Sequence, residues 1–267
     1  MITKMFKTNL YMMAAAGLVV LAGAFPGCTA GDITRVSGSG TIKEYPLTVS
    51  DFSQVAVTGP IPVNIRQADK CTATLKINDN LYSYVRVTQI IDVLRVELEP
   101  VSFRNLDISL DIGLPSLRSL AITRAGDCVV HEFNLKETCD ITVSEASTAD
   151  ISLMSSQYVS VFATSASTVT GTLNCADARL AASGASRLFL KGQCEYAIID
   201  AAGASQLELA DCWIGNAEAM VRGVSSAFIN VGGKLSVNVS GASTLSYSGN
   251  PSLGKVTVAA GSRLQRR

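Results

Sequence analysis

The chain contains one histidine, His131, and acid–base catalysis is the first chemistry that its position suggests. Asp127 lies close to it in sequence and serines are abundant downstream, so the components of a Ser-His-Asp triad are present. His131 follows two valines, however, and a histidine in that setting more often packs at or near the surface than takes part in catalysis. We therefore predict no catalytic residue.

Pairs of carboxylates are the second candidate, because glycoside hydrolysis uses two acidic side chains that flank the scissile bond. Glu145 with Asp150, and Glu208 with Asp211, lie close enough in sequence to form such pairs. Carboxylates spaced in this way are more often solvated loop charges. A polysaccharide lyase or hydrolase nevertheless stays open as an alternative function.

Cysteines are the third candidate, as ligands of a metal or as disulfide partners. None of them belongs to a CxxC motif, and their spacing does not match that of a zinc site. We therefore expect neither a metal nor a cofactor. The cysteines in the body of the chain are Cys71, Cys128, Cys139, Cys175, Cys194 and Cys212.

The remaining cysteine, Cys28, ends a segment with the features of a bacterial lipoprotein signal peptide. Two lysines precede the uncharged apolar run 10–25, and the small residue Gly27 stands directly before the cysteine. This run is short for a membrane-spanning helix, which needs about 20 apolar residues. We predict that residues 1–27 are a signal peptide and that Cys28 carries lipid; a secreted protein and a retained signal anchor are the alternatives.

Small residues recur at a nearly constant interval in the second half of the chain. The motif SGASRLFL at 183–190 returns as AGASQLEL at 202–209 and as SGASTLSY at 240–247. A catalytic motif normally occurs once per active site, so this recurrence indicates a repeat architecture with a period near 20 residues. With the serine as the reference position, the copies fall at Gly126, Ser147, Ser167, Ser186, Ser205, Ser225, Ser243 and Ser262.

Apolar and polar residues alternate within each copy, which indicates β-strands. Helical arrays are excluded because no copy contains a long amphipathic stretch, and a propeller blade needs about 40 residues. We predict an all-β parallel β-helix, or solenoid, in which each copy forms one coil. Equivalent residues would then stack in columns with a spacing of about 4.8 Å.

In such a solenoid the motif occupies a tight corner, and we expect small side chains both at the serine position and at the residue before it. A serine there can hydrogen-bond to nearby backbone or to the next serine of its column. Cys175, Cys194 and Cys212 fall at similar offsets from the corner and would form another column. Stacked cysteines are close enough to form a disulfide, although free thiols packed in the core are the favoured interpretation.

The domain organisation follows from where the repeat is clear. It is most regular over 120–267, and the stretch 55–65 carries the same turn with room for three longer coils before Gly126. We assign 28–40 to a flexible tether and 41–267 to a single β-helix domain.

Charge limits the choice of partners. The chain has 22 basic and 22 acidic residues. A nucleic-acid-binding protein would show a basic footprint, and attraction to an anionic membrane also requires positive charge. Nucleic acid is therefore not expected as a partner, and contact with a membrane would depend on the lipid at Cys28.

Several short segments occur in a characteristic order before the repeats. They are GSGTI (38–42), DFSQVAVTGPIPVNIRQ (51–67), INDNLYSYV (77–85), VLRVEL (93–98) and LPSLRSLAITRAGDCVV (114–130). Over residues 36–262 the chain thereby resembles the head GIN domain family of auto-transporter adhesins, which is common in gut Bacteroidetes. The resemblance implies a right-handed β-helix in an exported, usually lipid-anchored protein, and it supplies neither a ligand nor catalytic residues.

These observations favour a non-catalytic lipoprotein of the cell envelope, in the outer membrane, with an adhesin-like binding role. An extended face rich in Thr and Ser hydroxyls suits a glycan or a protein better than a small molecule in a deep pocket. Besides the polysaccharide-cleaving enzyme, a structural envelope protein that forms homo-oligomers by end-to-end stacking of coils stays open. The sequence does not identify the ligand-binding residues.

Overall fold

The computed structural model describes residues 35–155 and 157–267, so the predicted signal peptide and Cys28 lie outside the described residues. The described chain is built almost wholly of strands, with one 3₁₀ turn at Tyr82–Tyr84. None of its helical segments has the length and apolar character needed to span a membrane.

The strands fall into two groups along the chain. Those before residue 118 are β1 (Val36–Ser37), β2 (Ile42–Pro46), β3 (Gln54–Thr58), β4 (Pro62–Gln67), β5 (Thr72–Asn78), β6 (Val85–Ile90), β7 (Val93–Leu98), β8 (Phe103–Arg104) and β9 (Ile108–Leu114). Those of the repeat region are β10 (Ser119–Thr123), β11 (Asp127–Leu135), β12 (Cys139–Val143), β13 (Thr148–Ser155), β14 (Tyr158–Ala163), β15 (Thr168–Ala182), β16 (Arg187–Ala201), β17 (Gln206–Val221), β18 (Ser226–Val231), β19 (Lys234–Val239), β20 (Thr244–Ser248), β21 (Ser252–Val258) and β22 (Arg263–Arg266).

From β10 onward the chain forms a β-solenoid whose coils stack in sequence order. Each coil has an outgoing segment after the serine corner and a returning segment that leads to the next corner, as in β13 and β14. In β15, β16 and β17 the two segments run on as one long strand. Every pairing among β10–β22 is parallel, and Thr148 aligns with Thr168, which aligns with Arg187. The structure thus confirms the parallel β-solenoid, with about seven turns.

The core consists of inward-facing columns to which each coil contributes one residue. Alternation along the strands turns every second side chain inward, and parallel register places equivalent side chains on one another. One such column, whose members are at most 1% exposed, contains Ile122, Val143, Ala163, Ala182, Ala201, Val221 and Val239.

The N-terminal region does not continue this stack in sequence order. The coil made by β3 and β4 packs directly against β10 and β11, so that Thr58 aligns with Thr123 although 65 residues separate them. The prediction of three intervening coils is therefore wrong. Strands β7 and β9 instead form a coil on the far side of β3 and β4.

Antiparallel strands cover this end of the solenoid. Strand β6 pairs with β7, β5 pairs with β9, and β2 pairs with β5, all antiparallel. Antiparallel neighbours can be joined by short turns at one end, so the chain leaves the stack and returns without completing a coil. Leu75, Ile77 and Leu81 of this cap are fully buried.

The segment predicted to be a tether is part of the folded body over its described residues, which begin at Arg35. Strand β1 pairs with β8. The Asn80 amide donates a hydrogen bond of 2.8 Å to the Ser37 carbonyl, and the Ser39 hydroxyl donates to Asp79. The prediction of a flexible tether is wrong for residues 36–40, because their backbone and side-chain groups bind the cap.

Candidate functional site

The serine column lies inside the corner, and its hydroxyls hydrogen-bond to backbone groups. The Ser186 hydroxyl donates to the Ser183 carbonyl at 2.7 Å and accepts from the Ser167 N–H at 3.1 Å. Corresponding bonds occur at Ser225, with distances of 2.9 and 3.3 Å. The members of the column that are at most 3% exposed are Ser147, Ser167, Ser186, Ser205, Ser225 and Ser243. These hydroxyls therefore hold the turn and join successive coils.

The two ends of the column differ from its middle. Gly126 has no hydroxyl, and its N–H donates to Ser147 at 3.2 Å. Ser262 is only partly buried, and its hydroxyl donates to the Gly241 carbonyl at 2.7 Å. The expectation that the residue directly before the serine must also be small is wrong, because that residue faces solvent and Val224 there is 69% exposed.

The parts of the candidate triad do not come together. His131 is exposed and lies where the pairing of β11 with β13 shifts register between Val130 and Phe133. Asp127 accepts a hydrogen bond from Thr148. Within residues 35–155 and 157–267 no hydrogen bond joins His131 to Asp127 or to a serine.

The candidate carboxylates have different surroundings. Glu145 faces Arg124 across an exposed ion pair of 3.7 Å. Glu208 lies between Phe189 and Phe228 of the neighbouring coils. Partial burial raises its pKa above the usual value, an effect that Arg267 opposes and Asp211 reinforces.

Three cysteines form a buried column where the outgoing segments bend. The sulfur atoms of Cys175 and Cys194 are 3.2 Å apart, and Cys212 lies beside Cys194 on the following coil. All three are free thiols. The hydrogen bond from Cys175 contributes most to raising the pKa of Cys194 to about 12. In the described part of the chain, no group of three His, Cys, Asp or Glu side chains is arranged to hold a metal ion.

An open groove of about 780 Å³ runs across the coils directly outside these cysteines. We call it the bend groove; it is lined by a row of one side chain per coil, together with Glu195 and the edges of Cys175 and Cys194. The register aligns each member of the row with the next, in the order Asn134, Met154, Asn174, Gln193 and Trp213.

Much of this row is accessible to solvent. Met154 is 55% exposed and Trp213 is 49% exposed. Asn134 and Gln193 are exposed, and Asn174 is partly buried. The row therefore offers amide groups between two large apolar side chains on a rigid base.

Sequence reasoning missed this row because it placed the binding face on Thr and Ser hydroxyls. The members of the row lie seven or eight residues after the reference position of their coil. That common offset was available from the alignment of the repeats, and the lone tryptophan was its clearest marker.

A second groove, of about 450 Å³, lies on the returning segments. We call it the flank groove; its floor contains Ile198 and Met220, and charged side chains surround it. The charged residues are Arg179, Asp200, Glu218 and Lys255. Arg222 binds one oxygen of Asp200 at 3.0 Å, whereas the buried Oδ1 of Asp200 has no partner among the described residues.

Residues 51–251 match the family model described as "Putative auto-transporter adhesin, head GIN domain". The chain belongs to this family. The match confirms the resemblance seen in the sequence. It spans the whole bend groove, and it spans the flank groove except for Lys255 and Thr257 in the last coil. No curated protein matches the chain.

Solved structures show the same fold at low sequence identity. A "putative adhesin" from Parabacteroides merdae has a TM-score of 0.79 at 15% identity and covers 87% of this chain and 99% of its own. A "putative adhesin" from Parabacteroides distasonis has a TM-score of 0.79 at 16% identity, covering 86% and 99%. A "putative lipid binding protein" from the same species has a TM-score of 0.74 at 14% identity, also covering 86% and 99%. At these identities the likeness is one of fold.

Proposed function

We propose that this head GIN domain protein is a non-catalytic binding module of the cell envelope and that its ligand, a glycan or a protein, binds in the bend groove. The observation that carries the proposal is the row of five side chains on five consecutive coils. A solenoid holds such a row rigidly, so little ordering accompanies binding. Membership of an adhesin family supports a binding role.

The bend groove is poorly equipped for hydrolysis. Over the part of the chain that the structure describes, it contains one carboxylate, Glu195, whereas glycoside hydrolysis by the usual route requires two. The cysteines at its base are nearly buried, and the raised pKa of Cys194 disfavours the thiolate, which is the nucleophilic form.

Binding is tested by probing glycan and protein arrays with the folded protein and its Trp213→Ala variant. We expect retention of the wild type and loss in the variant, because the indole offers the largest apolar surface of the row. The matched control is Gln206→Ala, an exposed residue beside the serine corner. Equal retention of all three proteins would contradict a role for the bend groove.

Attachment to the outer membrane through lipid at Cys28 completes the proposal. A protein held at the envelope by its N-terminus would present the solenoid to ligands outside or within the periplasm. Metabolic labelling with a fatty-acid analogue is expected to modify the wild type and not Cys28→Ser. Labelling of the Cys28→Ser protein would refute acylation at this site.

A second candidate function, cleavage of an acidic polysaccharide by a lyase, is favoured by the flank groove. Basic and acidic side chains from neighbouring coils converge there, and β-elimination needs groups that neutralise a carboxylate and remove a proton. If this is the function, polygalacturonate or alginate would yield unsaturated products detected by ultraviolet absorbance, and Lys255→Ala would abolish them. Absence of unsaturated products from both polymers would exclude lyase activity on polygalacturonate and alginate.

A further inference from the structure

We infer that the ligand of the bend groove is a neutral oligosaccharide that lies along the solenoid axis, an inference that rests on the binding function proposed above. Successive members of the row are separated by the coil spacing of about 4.8 Å. This spacing is close to the length of one sugar ring in an extended chain. The row can therefore present one side chain to each sugar unit.

The amide groups of the row are free to bind hydroxyls. Within the described residues, the side chains of Asn134, Asn174 and Gln193 make no hydrogen bond to protein, whereas Gln54 and Gln89 each make two or more. A side-chain amide both donates and accepts, so it can bind two neighbouring hydroxyls of a sugar.

The backbone makes room for this arrangement at Gly192. A Cβ atom at Gly192 would lie 2.8 Å from Oδ1 of Asn174, and the φ of 112° at this position is one that side chains rarely adopt. Glycine thus permits the Asn174 amide to lie close to the next coil, beside Gln193.

Trp213 supplies an apolar platform at one end of the amides. A Cβ atom at Gly232 would lie 3.1 Å from Nε1 of Trp213, so the indole lies directly against that glycine. Its N–H has no acceptor among the described residues. An aromatic ring with a polar edge can stack on the apolar face of a sugar and also bind one of its hydroxyls.

Charge favours a neutral sugar over an acidic one. Among the described residues, no basic side chain lines the bend groove, and the one charged group there is the Glu195 carboxylate. An acidic polysaccharide would be repelled there. A protein partner is also less suited, because the buried centre of a protein interface is largely apolar and the middle of this row consists of amides.

Fluorescence provides a direct test, because Trp213 is the only tryptophan in the chain. Neutral hexasaccharides of glucose, mannose, xylose and galactose are titrated into the folded protein. We expect a saturable change in tryptophan emission with at least one of them, and weaker binding by the corresponding monosaccharide. Hexagalacturonate is expected to leave the emission unchanged.

Variants connect the signal to the row. Removal of one hydrogen-bonding amide, in Asn174→Ala or Gln193→Ala, is expected to weaken binding by about tenfold. Gln206→Ala is expected to retain wild-type affinity. Binding by Trp213→Phe is measured by calorimetry, because this variant lacks the fluorescent tryptophan. Denaturation midpoints of Asn174→Ala and Gln193→Ala close to that of the wild type show that both are folded.

The outcomes separate this inference from the function on which it rests. If no neutral hexasaccharide binds, or if Asn174→Ala and Gln193→Ala both bind as tightly as the wild type, the inference is overturned. Trp213-dependent retention of a protein or of an acidic glycan on the arrays would then leave the binding function intact. Absence of any Trp213-dependent retention would reject both.

Discussion

At the scale of single residues, the corner serines and the core cysteines show how burial changes the meaning of a reactive side chain. A repeated serine resembles a nucleophile only until its hydrogen bonds are known, since Ser186 is committed to two backbone groups. Burial and sulfur–sulfur contacts keep the cysteines protonated.

The serine column can be tested at Ser186. Ser186→Ala leaves the Ser167 N–H and the Ser183 carbonyl without this partner, and we expect the free energy of unfolding to fall by about 1–3 kcal/mol. The control is Ser226→Ala, which removes an exposed hydroxyl and should change stability by less than about 0.5 kcal/mol. Denaturant unfolding measures both. Equal effects would show that the buried hydroxyl has no special role.

The buried thiols predict how stability depends on alkaline pH. Burial raises the pKa of Cys139 from 9.0 to about 12, so the folded state keeps the proton over a range in which the unfolded state loses it. This contribution is complete below about pH 9 and is lost as the pH rises towards about 12. We expect the free energy of unfolding to fall over that range, and to fall less steeply in Cys139→Ala. If the free energy of unfolding falls equally with pH in the wild type and in Cys139→Ala, ionisation of Cys139 is not the cause of the decrease.

At the scale of elements, the corner turn keeps its left-handed backbone conformation along the stack, while its residue type and its inter-coil hydrogen bond change. In the early coils Arg124, Glu145 and Ser165 adopt left-handed φ values of 61°, 57° and 55°. In the later coils glycine takes this position. The inter-coil hydrogen bond also reverses: the Ala166 N–H donates forward to Gly184, whereas the Ala242 N–H donates back to Gly223.

This reversal explains why glycine is required late in the stack, and Gly241 tests it. A Cβ atom at Gly241 would lie 2.4 Å from the Gly223 carbonyl oxygen, whereas one at Gly261 would lie 3.5 Å from that of Gly241. Their φ values, 76° and 81°, are similar. Gly261→Ala should therefore cost about 1 kcal/mol of backbone strain, and Gly241→Ala clearly more. Similar denaturation midpoints would rule out the close approach as the cause.

At the scale of the whole molecule, the two ends of the solenoid differ. Antiparallel strands cover the first end, whereas the last described coil leaves apolar side chains open. Val258 continues the core column above Val239, yet it is 41% exposed, and Val239 is fully buried. Leu253 and Val256 are also exposed. This end is the place where end-to-end assembly would occur.

A pair of valine substitutions distinguishes a free end from an assembled one. Val239→Ala removes buried methyl groups and should cost about 2 kcal/mol, whereas Val258→Ala should cost less than about 0.5 kcal/mol if the protein is a monomer. Light scattering reports the oligomeric state in parallel. A large, concentration-dependent effect of Val258→Ala would support assembly by coil stacking.

The sequence by itself determined the solenoid, because a fixed period combined with strand alternation leaves one way to bury every second side chain. It also determined the serine column and that the residue after each serine faces outward, since these depend on local spacing. Only the tertiary structure decided that β3 and β4 pack against β10 and β11, because strand pairing across 65 residues has no local signature. The bend groove was decided in the same way: the similar offsets of Asn174, Gln193 and Trp213 were visible in the sequence, but that this column borders an open groove depends on how the stacked coils bend.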